Sequence, residues 1–226
     1  MISLLRLENV SFSYSKTLQE VILKSIKLEV REKDFVLITG PSGSGKSTLL
    51  NLIGLFFVPD QGKIWIKNQM VNLKDRKRVY RLRTTLFGFV FQQGYLHDGL
   101  TVEENIELPL RIAKSSSQLR IERTKILLDI IQLQKRKNHY PSELSRGEQQ
   151  RVGIARALAL DPPVILADEP TSHVDSKLGE ELVAFFVDLN QKFDKTIIVA
   201  THDLSFYHPF MTQLNLIDGK IVPSLS

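Results

Sequence analysis

The sequence contains no cysteine and no long hydrophobic run, and both absences narrow what the chain can be. Without cysteine it can form neither a disulfide nor a thiolate metal site, which suits a reducing compartment. No stretch approaches the ~20 apolar residues of a membrane-spanning helix, so any role at a membrane would depend on a partner. Near the start, Arg6 and Glu8 interrupt the apolar residues and leave no signal-peptide core. We therefore expect a cytoplasmic protein.

Low-complexity tracts and obvious internal repeats are also absent, and the charge imbalance is small. The 226 residues are 42% hydrophobic and 24% charged, with a net charge of +5, as in an ordinary globular protein. This length fits one large domain or two small ones, and we expect one domain that carries an insertion. The basic residues concentrate in 76–83 and 135–137, where solvated helix faces and loops are a simpler explanation than a lipid or nucleic-acid surface. We expect no nucleic-acid partner.

The hydrophobic pattern indicates an α/β fold with a helical block inside it. Alternating or continuous apolar residues predict strands in 5–7, 26–30, 35–38, 64–66, 89–91, 164–166 and 197–200. Helical spacing begins at Lys46, dominates 101–160, including 118–133, and returns in 176–192. Strand, helix and strand in succession predict a parallel sheet with crossover connections. Near the end, Asp218 and Gly219 between apolar residues predict a hairpin.

Residues 40–48 read GPSGSGKST, which matches the phosphate-binding P-loop, with a strand before it and a helix after it as this motif requires. The glycines let the backbone curl so that successive amides face phosphate oxygens, and the helix N-terminus adds the positive end of its dipole. Lys46 adds a point charge for the β- and γ-phosphates, and the Ser47 hydroxyl can bind Mg²⁺. A glycine-rich turn without a ligand would not need both flanking elements. The predicted ATP-binding residues of this loop are Gly40, Pro41, Ser42, Gly43, Ser44, Gly45, Lys46, Ser47 and Thr48.

Two adjacent carboxylates, Asp168 and Glu169, follow the apolar run 164–167. Open α/β sheets bind ligands at the C-terminal edge of their strands, so this pair should lie beside the P-loop. Asp168 would bind Mg²⁺ directly or through water, and Glu169 would polarise the attacking water as general base. An acidic pair on its own is more often a helix cap or a turn. Beside a P-loop, however, a role in metal binding and catalysis becomes the favoured interpretation.

Residues 144–150 read LSRGEQQ and continue as RVGIARAL, with Ser145 placed to open a helix. This stretch resembles the signature motif of ABC ATPases, whose commonest form is LSGGQ followed by QQRVAIARAL. A serine followed three residues later by Glu148 is also the pattern of a capping box, which needs no nucleotide. The P-loop upstream and the acid pair downstream favour the family resemblance. It implies that the signature acts on the nucleotide of a second subunit. The signature residues would be Ser145, Arg146, Gly147 and Glu148.

Four further landmarks follow the order of that family, so the resemblance covers nearly the whole chain. It implies that Tyr14 stacks on adenine and that Gln92 contacts the metal site and faces a transmembrane partner. It also implies that Asp175 touches the opposing subunit. His202, followed by Asp203, corresponds to the switch histidine beside the γ-phosphate. Without this context, Tyr14 would be interpreted as an aromatic on a half-buried strand and His202 as a structural histidine.

The resemblance also implies an architecture: a RecA-like P-loop NTPase core, an antiparallel β subdomain and an inserted α-helical signature subdomain. Residues 1–92 and 161–226 would form the core with the β subdomain, and residues 93–160 the helical subdomain. The implied catalytic residues are Lys46, Glu169 and His202. The implied Mg²⁺ ligands are Ser47, Gln92 and Asp168.

In ABC ATPases the signature loop of one subunit closes over the P-loop nucleotide of the other, so a homodimer would enclose two ATP molecules. The Ser145 hydroxyl and the Gly147 amide would donate to the γ-phosphate of the other subunit's nucleotide. Hydrolysis would open the dimer and move transmembrane permease subunits through the surface near Gln92, which places the chain at the inner face of the membrane. Arg146 and Glu148 replace the first glycine and the glutamine of LSGGQ. We expect activity because Ser145 and Gly147 are retained, while the rate and symmetry stay open.

Within the family, residues 88–110 and 167–183 most resemble the lipoprotein-release, macrolide-export and FtsE-type cell-division ATPases. We therefore expect the ATPase subunit of a transporter or extrusion complex, with ATP and Mg²⁺ as cofactors. A regulatory ATPase of a division-type complex, which moves no solute, is barely separable by sequence. An ABC protein of DNA repair or translation is disfavoured because the sequence shows no coiled-coil arm, zinc cysteines or second cassette. A nucleotide kinase would not carry LSRGEQQ together with His202.

Overall fold

The computed structural model describes residues 3–15, 21–92, 95–172, 174, 176–203 and 206–222. No helix in these ranges is both long and apolar enough to cross a bilayer. The strands found there are β1 (Ser3–Phe12), β2 (Leu23–Arg31), β3 (Phe35–Thr39), β4 (Gln61–Ile66), β5 (Gln69–Met70), β6 (Phe87–Val90), β7 (Val164–Asp168), β8 (Thr196–Ala200), β9 (Thr212–Ile217) and β10 (Lys220–Val222). The helices are α1 (Lys46–Ile53), α2 (Arg76–Leu86), α3 (Val102–Ile112), α4 (Ser117–Ile130), α5 (Arg146–Leu158) and α6 (Ser176–Gln191).

The strands form two sheets of different kinds. The larger sheet has the order β10-β9-β3-β8-β7-β6, and all its pairings are parallel except that of β9 with β10. The smaller sheet is antiparallel, with the order β2-β1-β4-β5. Strands β3 and β8 are buried along their whole length, as expected for parallel strands covered on both faces. The predicted parallel sheet and the separate antiparallel sheet are confirmed.

The larger sheet separates two hydrophobic cores, because side chains of a strand alternate between its faces. Val36 and Ile38 of β3 pack towards the smaller sheet and α1. Phe35 and Leu37 of the same strand pack towards the helices α3 to α6. One face of the larger sheet therefore packs against the smaller sheet and α1, and the other face packs against the helices α3 to α6.

The block predicted to be helical contains α3, α4 and α5, whose ends follow from local capping. Thr101 opens α3 with a capping box: its hydroxyl accepts from the Glu104 amide over 3.3 Å, and the Glu104 carboxylate accepts from the Thr101 amide over 2.9 Å. Helix α4 ends at Ile130, earlier than predicted, and left-handed backbone follows at Gln132, with φ of 57°. These helices lie within 93–160, and the division of the chain into subdomains stays a prediction.

Helix α2 and strand β5 were not predicted from the sequence. The Asp75 side chain caps α2 by accepting from the Arg78 amide over 3.0 Å. None of the residues of α2 is buried, so the basic residues in 76–83 lie on a solvated helix. Its apolar face, Val79, Leu82 and Leu86, is only partly buried against the core, which leaves a weak periodic pattern in the sequence. Strand β5 has two residues, too few to show alternation.

The predicted terminal hairpin is present between β9 and β10. Asp218 and Gly219 both have positive φ, 47° and 75°, as in a type I′ turn. A Cβ on Gly219 would come within 2.1 Å of the Ile22 carbonyl oxygen, so the close approach there requires glycine. The Gly219 carbonyl accepts from the Lys24 amide over 2.8 Å. The hairpin therefore ties the larger sheet to β2.

Candidate functional site

The P-loop connects β3 to α1 at the edge of the larger sheet where the parallel strands end. Helix α1 begins at Lys46, as predicted, and its first amides have no partner within the helix. Gly45 precedes it with φ of 102°, a conformation that glycine adopts without strain. The strand edge, the curled loop and the helix N-terminus together form a concave site for an anion.

Lys46 and Ser44 supply this loop with polar groups suited to a phosphate. Lys46 is only 7% exposed, and its Nζ donates to the carbonyl oxygens of Gly40 over 2.9 Å and of Pro41 over 3.1 Å. Ser44 Oγ is buried and has no hydrogen-bond partner among the residues that the structure describes. A buried hydroxyl left without a partner costs roughly 1–3 kcal/mol. A bound anion would satisfy both groups.

Ser47 and Asp168 meet where α1 faces the end of β7. The Ser47 hydroxyl donates to Asp168 Oδ1 over 3.0 Å. Burial raises the pKa of Asp168, as does nearby Glu169, while the hydrogen bond from Ser47 and the charge of Lys46 act in the opposite direction. A bound dication would offset the cost of burying this carboxylate, and a hydroxyl beside a carboxylate is an oxygen donor set that Mg²⁺ accepts. The residues present therefore fit the predicted metal.

The third predicted metal ligand, Gln92, lies exposed just beyond β6. Val90 of β6 pairs with Ala167 of β7, so the strand register brings Gln92 to the same sheet edge as Asp168. In the described part of the chain, Gln92 makes no hydrogen bond to Ser47 or Asp168. Its role as a ligand stays a prediction.

Glu169, the predicted general base, lies in a cluster with the other two predicted catalytic residues. Its backbone is left-handed, with φ of 45°, and its side chain is 12% exposed. Such a conformation costs roughly 1–3 kcal/mol. His202 Nδ1 lies 3.0 Å from Glu169 Oε1, and Lys46 Nζ lies 3.8 Å from the same oxygen. Thr201 Oγ1 donates to Oε2 over 3.0 Å.

Thr201 is a site residue that the sequence analysis missed. Its position in the sequence could have indicated a role, because this threonine stands directly before His202 in the THD sequence. A hydroxyl at that position has no obvious chemistry of its own, and its contact with Glu169 depends on the pairing of strands far apart in the chain.

Tyr14 is held beside the P-loop with much of its ring accessible. Its hydroxyl lies 2.8 Å from Thr48 Oγ1. The ring meets Phe12 and Phe57 edge-on, with centroid separations of 5.2 and 5.7 Å. Tyr14 is nevertheless 63% exposed. An accessible aromatic ring fixed next to a phosphate site is suited to stack on a base, and stacking on adenine stays a prediction.

Ser145 opens α5, and the predicted capping box is present. Ser145 Oγ accepts from the Glu148 amide over 3.2 Å, and the Glu148 carboxylate accepts from the Ser145 amide over 2.8 Å. Glu148 also forms an ion pair with Arg136 at 3.6 Å. Partial burial opposes ionisation, but the hydrogen bonds from Ser145 and the charges of Arg136 and Arg151 outweigh it and lower the pKa of Glu148. The glutamate therefore links α5 to the turn at 134–136.

Gly147 and Arg146 have different surroundings at the start of α5. A Cβ on Gly147 would lie 2.4 Å from Leu178 Cδ2, so this turn packs closely on α6. Arg146 is exposed at the first position of the helix. The positive end of the helix dipole is an unfavourable place for a cation unless an anion is near.

The structure gathers the predicted site residues into two groups within one chain. One group surrounds the P-loop, and the other lies at the start of α5. In the described ranges, no hydrogen bond or ion pair joins residues 145–148 to the P-loop or to Glu169. Asp175, predicted to touch an opposing subunit, lies outside the described residues.

A groove of about 630 Å³ opens between α2, β6, α3 and α5. Phe56 and Ile112, both in its lining, are 41% and 60% exposed. The Arg83 guanidinium lies over the Phe56 ring, 4.8 Å from its centroid. Arg156 on the opposite wall donates to the Tyr95 carbonyl over 2.7 Å. An apolar groove with charged walls is typical of a surface that a protein partner covers.

Comparison with known protein families matches residues 23–172 to the family described as ABC transporter. An uncharacterized ABC transporter ATP-binding protein of Methanocaldococcus jannaschii, MJ0796, is 42% identical over 224 residues, which cover 96% of this chain and 95% of that protein. The lipoprotein-releasing system ATP-binding protein LolD 1 of Chlorobium chlorochromatii is 37% identical over 222 residues, with coverage of 97% and 90%. The macrolide export ATP-binding/permease protein MacB of Marinobacter nauticus is 40% identical over 220 residues, which are 97% of this chain and 34% of MacB.

The same similarity extends to solved structures. A dimeric structure of MJ0796, described as a post-hydrolysis state bound to ADP and Pi, matches this chain with a TM-score of 0.88 and 42% identity. The match covers 97% of both chains. The P-loop NTPase fold predicted from the sequence is therefore confirmed.

Proposed function

Because the chain belongs to the ABC transporter family of ATP-binding proteins, we propose that two copies of it enclose two ATP molecules and drive a transmembrane transport or extrusion partner. The chain is an ATPase. The predicted resemblance to the lipoprotein-release and macrolide-export group is confirmed by the relatives LolD and MacB. Their names favour transport over the alternative of a division-type regulatory ATPase.

The observation that carries the proposal is the separation of two groups of site residues within one chain. The P-loop group holds the charges for binding and hydrolysis, but no hydrogen bond or ion pair between described residues joins it to the signature at 145–148. A second copy in head-to-tail orientation would supply the missing half of each site. The solved structure of MJ0796 with ADP and Pi is dimeric, which supports the pairing of two copies.

Within the P-loop half, we assign the phosphates to Lys46, Ser44 and the loop amides, and the metal to Ser47 and Asp168. Mg²⁺, when bound, would neutralise charge on the phosphate oxygens. Gln92 would complete this ligand set from the end of β6.

We assign the hydrolytic step to Glu169 and His202. The Glu169 carboxylate would accept a proton from the attacking water, as a general base must. His202, whose side chain is 67% exposed, can turn from Glu169 towards the γ-phosphate. Tyr14 would hold adenine by stacking.

The signature half would act on the partner's nucleotide. Ser145 Oγ accepts a hydrogen bond from the Glu148 amide through a lone pair. The hydroxyl proton of Ser145 therefore stays available for donation to a phosphate oxygen. Gly147 offers an amide from the first turn of α5, where helix amides lack internal partners. Arg146 would lie close to the same phosphates, which explains a cation at a helix N-terminus. Asp175 would contact the opposing subunit nearby.

Ser145→Ala tests whether the signature completes the site. ATP turnover should fall roughly 10- to 100-fold, because a hydrogen bond to a charged phosphate is lost. The free energy of unfolding should fall by about 1 kcal/mol, because the cap of α5 is lost as well. Phosphate release without any acceptor, measured over a range of protein concentrations, reports the turnover and excludes a kinase. In the parent chain, turnover per chain should rise with concentration as dimers form.

Ser116→Ala is the matched control for the loss of a cap. Ser116 caps α4 by accepting from the Leu119 amide over 3.3 Å, far along the chain from the P-loop. It should reduce the stability by a similar amount and leave turnover at the parental value. A parental rate for Ser145→Ala, independent of dilution, would contradict a site shared between two chains.

We infer that the groove between α2 and α3 is the docking surface of the transmembrane partner. Its exposed apolar residues support this, since such a patch on a working protein is normally covered. The groove adjoins β6, so it lies next to Gln92 at the metal site. Docking there would hold the chain at the cytoplasmic face of a membrane.

Ile112→Asp tests this docking surface by placing a charge in the apolar groove. The fraction of the chain recovered with membranes from the source cells should fall roughly tenfold, because an unpaired charge must be buried on docking. Ile121→Asp is the control: Ile121 is 66% exposed on α4 and does not line the groove. Equal recovery of Ile112→Asp and the parent chain would rule this surface out.

A further inference from the structure

Thr201 lies where β8 ends, beside the carboxylate of Glu169. It is 0% exposed, and its Oγ1 donates to Glu169 Oε2 over 3.0 Å. The same hydroxyl oxygen accepts from the Asp203 amide over 3.0 Å. Because a lone pair of the oxygen is engaged by that amide, the hydroxyl proton is directed at the remaining acceptor, Glu169. Thr201 therefore presents its donor in one defined orientation.

The backbone on both sides of this contact is fixed by the central strands. The Glu169 amide donates to the Ala200 carbonyl over 2.8 Å, and the Thr201 amide donates to the Ile38 carbonyl over 3.0 Å. Asp168 pairs with Ala200 in the register of β7 and β8. The contact between Thr201 and Glu169 therefore joins two rigid strand ends.

The other side-chain partners of Glu169 are groups that a nucleotide would engage. Lys46 Nζ lies 3.8 Å from Oε1, and His202 Nδ1 lies between the two oxygens, 3.0 Å from Oε1 and 2.9 Å from Oε2. Under the proposed function both groups turn to phosphate oxygens when ATP binds. Thr201 has no exposed surface through which it could reach a ligand. Its bond to Oε2 therefore persists in the ATP-bound state, when Oε1 must be free for the attacking water.

We propose that Thr201 is the positioning residue of the general base: it holds Oε2 of Glu169 so that Oε1 faces the water. This inference rests on the proposed function of Glu169. Thr201 touches neither the phosphates nor the water, and it acts through the orientation of the carboxylate. Such supporting hydrogen bonds commonly change activity 10- to 100-fold.

A second hydrogen bond extends this unit to Thr171. Thr171 Oγ1 donates to Asp203 Oδ2 over 3.1 Å, and Thr171 is 8% exposed. We infer that Thr171, by holding Asp203, helps to fix the Thr201 hydroxyl and so the orientation of Glu169.

Thr201→Val tests the positioning role because it keeps the volume of the side chain and removes the hydroxyl. The kcat for ATP hydrolysis should fall roughly 10- to 100-fold, while KM and the affinity for a slowly hydrolysed ATP analogue stay within about twofold of the parent. Thr201→Ser restores the hydroxyl and should recover most of kcat. Steady-state phosphate release and equilibrium binding of the analogue provide the two readouts.

Thr196→Val is the matched control at the other end of β8. Thr196 is 2% exposed, and its Oγ1 accepts from the Lys33 amide over 2.9 Å. This variant loses the same kind of buried hydroxyl, so its thermal stability should fall as in Thr201→Val. Its kcat should stay parental, because Thr196 lies far from Glu169 along the strand.

Thr171→Val tests the link from its distant end and leaves the contacts of Glu169 itself unchanged. It should lower kcat by a smaller factor than Thr201→Val. In the double variant the two losses should be less than multiplicative, because both substitutions interrupt one hydrogen-bonded unit. The coupling is measured from the kcat values of the two single variants and the double variant.

A parental kcat for Thr201→Val would overturn the positioning role, and so would a loss confined to nucleotide affinity. A Thr201→Ser variant as slow as Thr201→Val would overturn it too. Strictly multiplicative losses in the double variant would overturn the link to Thr171. A parent chain that releases no phosphate would overturn the proposed function, and the inference about Thr201 with it.

Discussion

Glu169→Gln is expected to lower ATP turnover roughly 1,000-fold and to leave nucleotide affinity nearly unchanged. Glutamine keeps the shape of the side chain, and its carbonyl oxygen can still accept the Thr201 hydroxyl. Its amide cannot take a proton from the attacking water, so the chemical step loses its base. Binding depends on the P-loop, Lys46 and the Mg²⁺ ligands, none of which this substitution removes.

The same variant should accumulate as an ATP-bound dimer. If the γ-phosphate bridges the P-loop of one chain and the signature of the other, a site that cannot hydrolyse ATP stays closed. Gel filtration in the presence of ATP and Mg²⁺ should therefore show a dimer for Glu169→Gln at concentrations where the parent chain with ADP is monomeric. Phosphate release and equilibrium binding measure the other two quantities.

Glu107→Gln is the matched control for this substitution. Glu107 has a similarly small exposed fraction, 14% against 12% for Glu169, and it pairs with Arg111 and Arg120 on the helical layer. It should hydrolyse ATP at the parental rate and form no trapped dimer. A Glu169→Gln chain with parental turnover would show that the general base is another group.

Lys46→Ala is expected to weaken ATP binding itself, by roughly 100- to 1,000-fold. Lys46 Nζ is buried among the carbonyl oxygens of the loop, where its charge is poorly screened by water. Truncating one member of a buried, hydrogen-bonded charge pair costs about 2–5 kcal/mol, much of it from the charge left unpaired. Equilibrium titration with a fluorescent ATP analogue measures the dissociation constant.

Lys195→Ala provides the comparison for removing a largely buried lysine. The Lys195 side chain is 14% exposed and pairs with Asp161 at 3.0 Å. We expect it to lower the stability and to leave the dissociation constant for ATP at the parental value. An unchanged affinity in Lys46→Ala would refute its place in the phosphate site.

The parts of the site that could be read from the sequence are those built from consecutive residues. The P-loop and the start of α5 each depend on a short run of backbone, so their chemistry and their local structure appear together in the sequence. Lys46 begins a helix as predicted, and Ser145 opens one with the predicted capping box. The pair Asp168 and Glu169 follows a strand that is buried, as its apolar run indicated.

The parts that could not be predicted depend on which distant strands become neighbours. Glu169 and Thr201 meet only because β7 pairs with β8 in one register, and nothing near either residue encodes that pairing. The groove likewise joins α2 and β6, which are consecutive in the chain, to α3 and α5 farther along it. Helix α2 escaped prediction for another reason: its apolar face, formed by Val79, Leu82 and Leu86, is short and only partly buried, so the periodic pattern is weak.

The two hydrophobic cores lie on opposite faces of the larger sheet. Nucleotide chemistry and the contacts of the helical layer can therefore change independently of each other. Leu49 and Leu52 pack behind the P-loop, whereas Ile106 and Leu158 pack under α3 and α5, which carry one wall of the groove and the signature. Repacking the helical face would shift α3 and α5 relative to the sheet and leave the phosphate cradle in place. Lineages can therefore adapt such a motor to new cargo on one side of the sheet while its chemistry stays constant on the other.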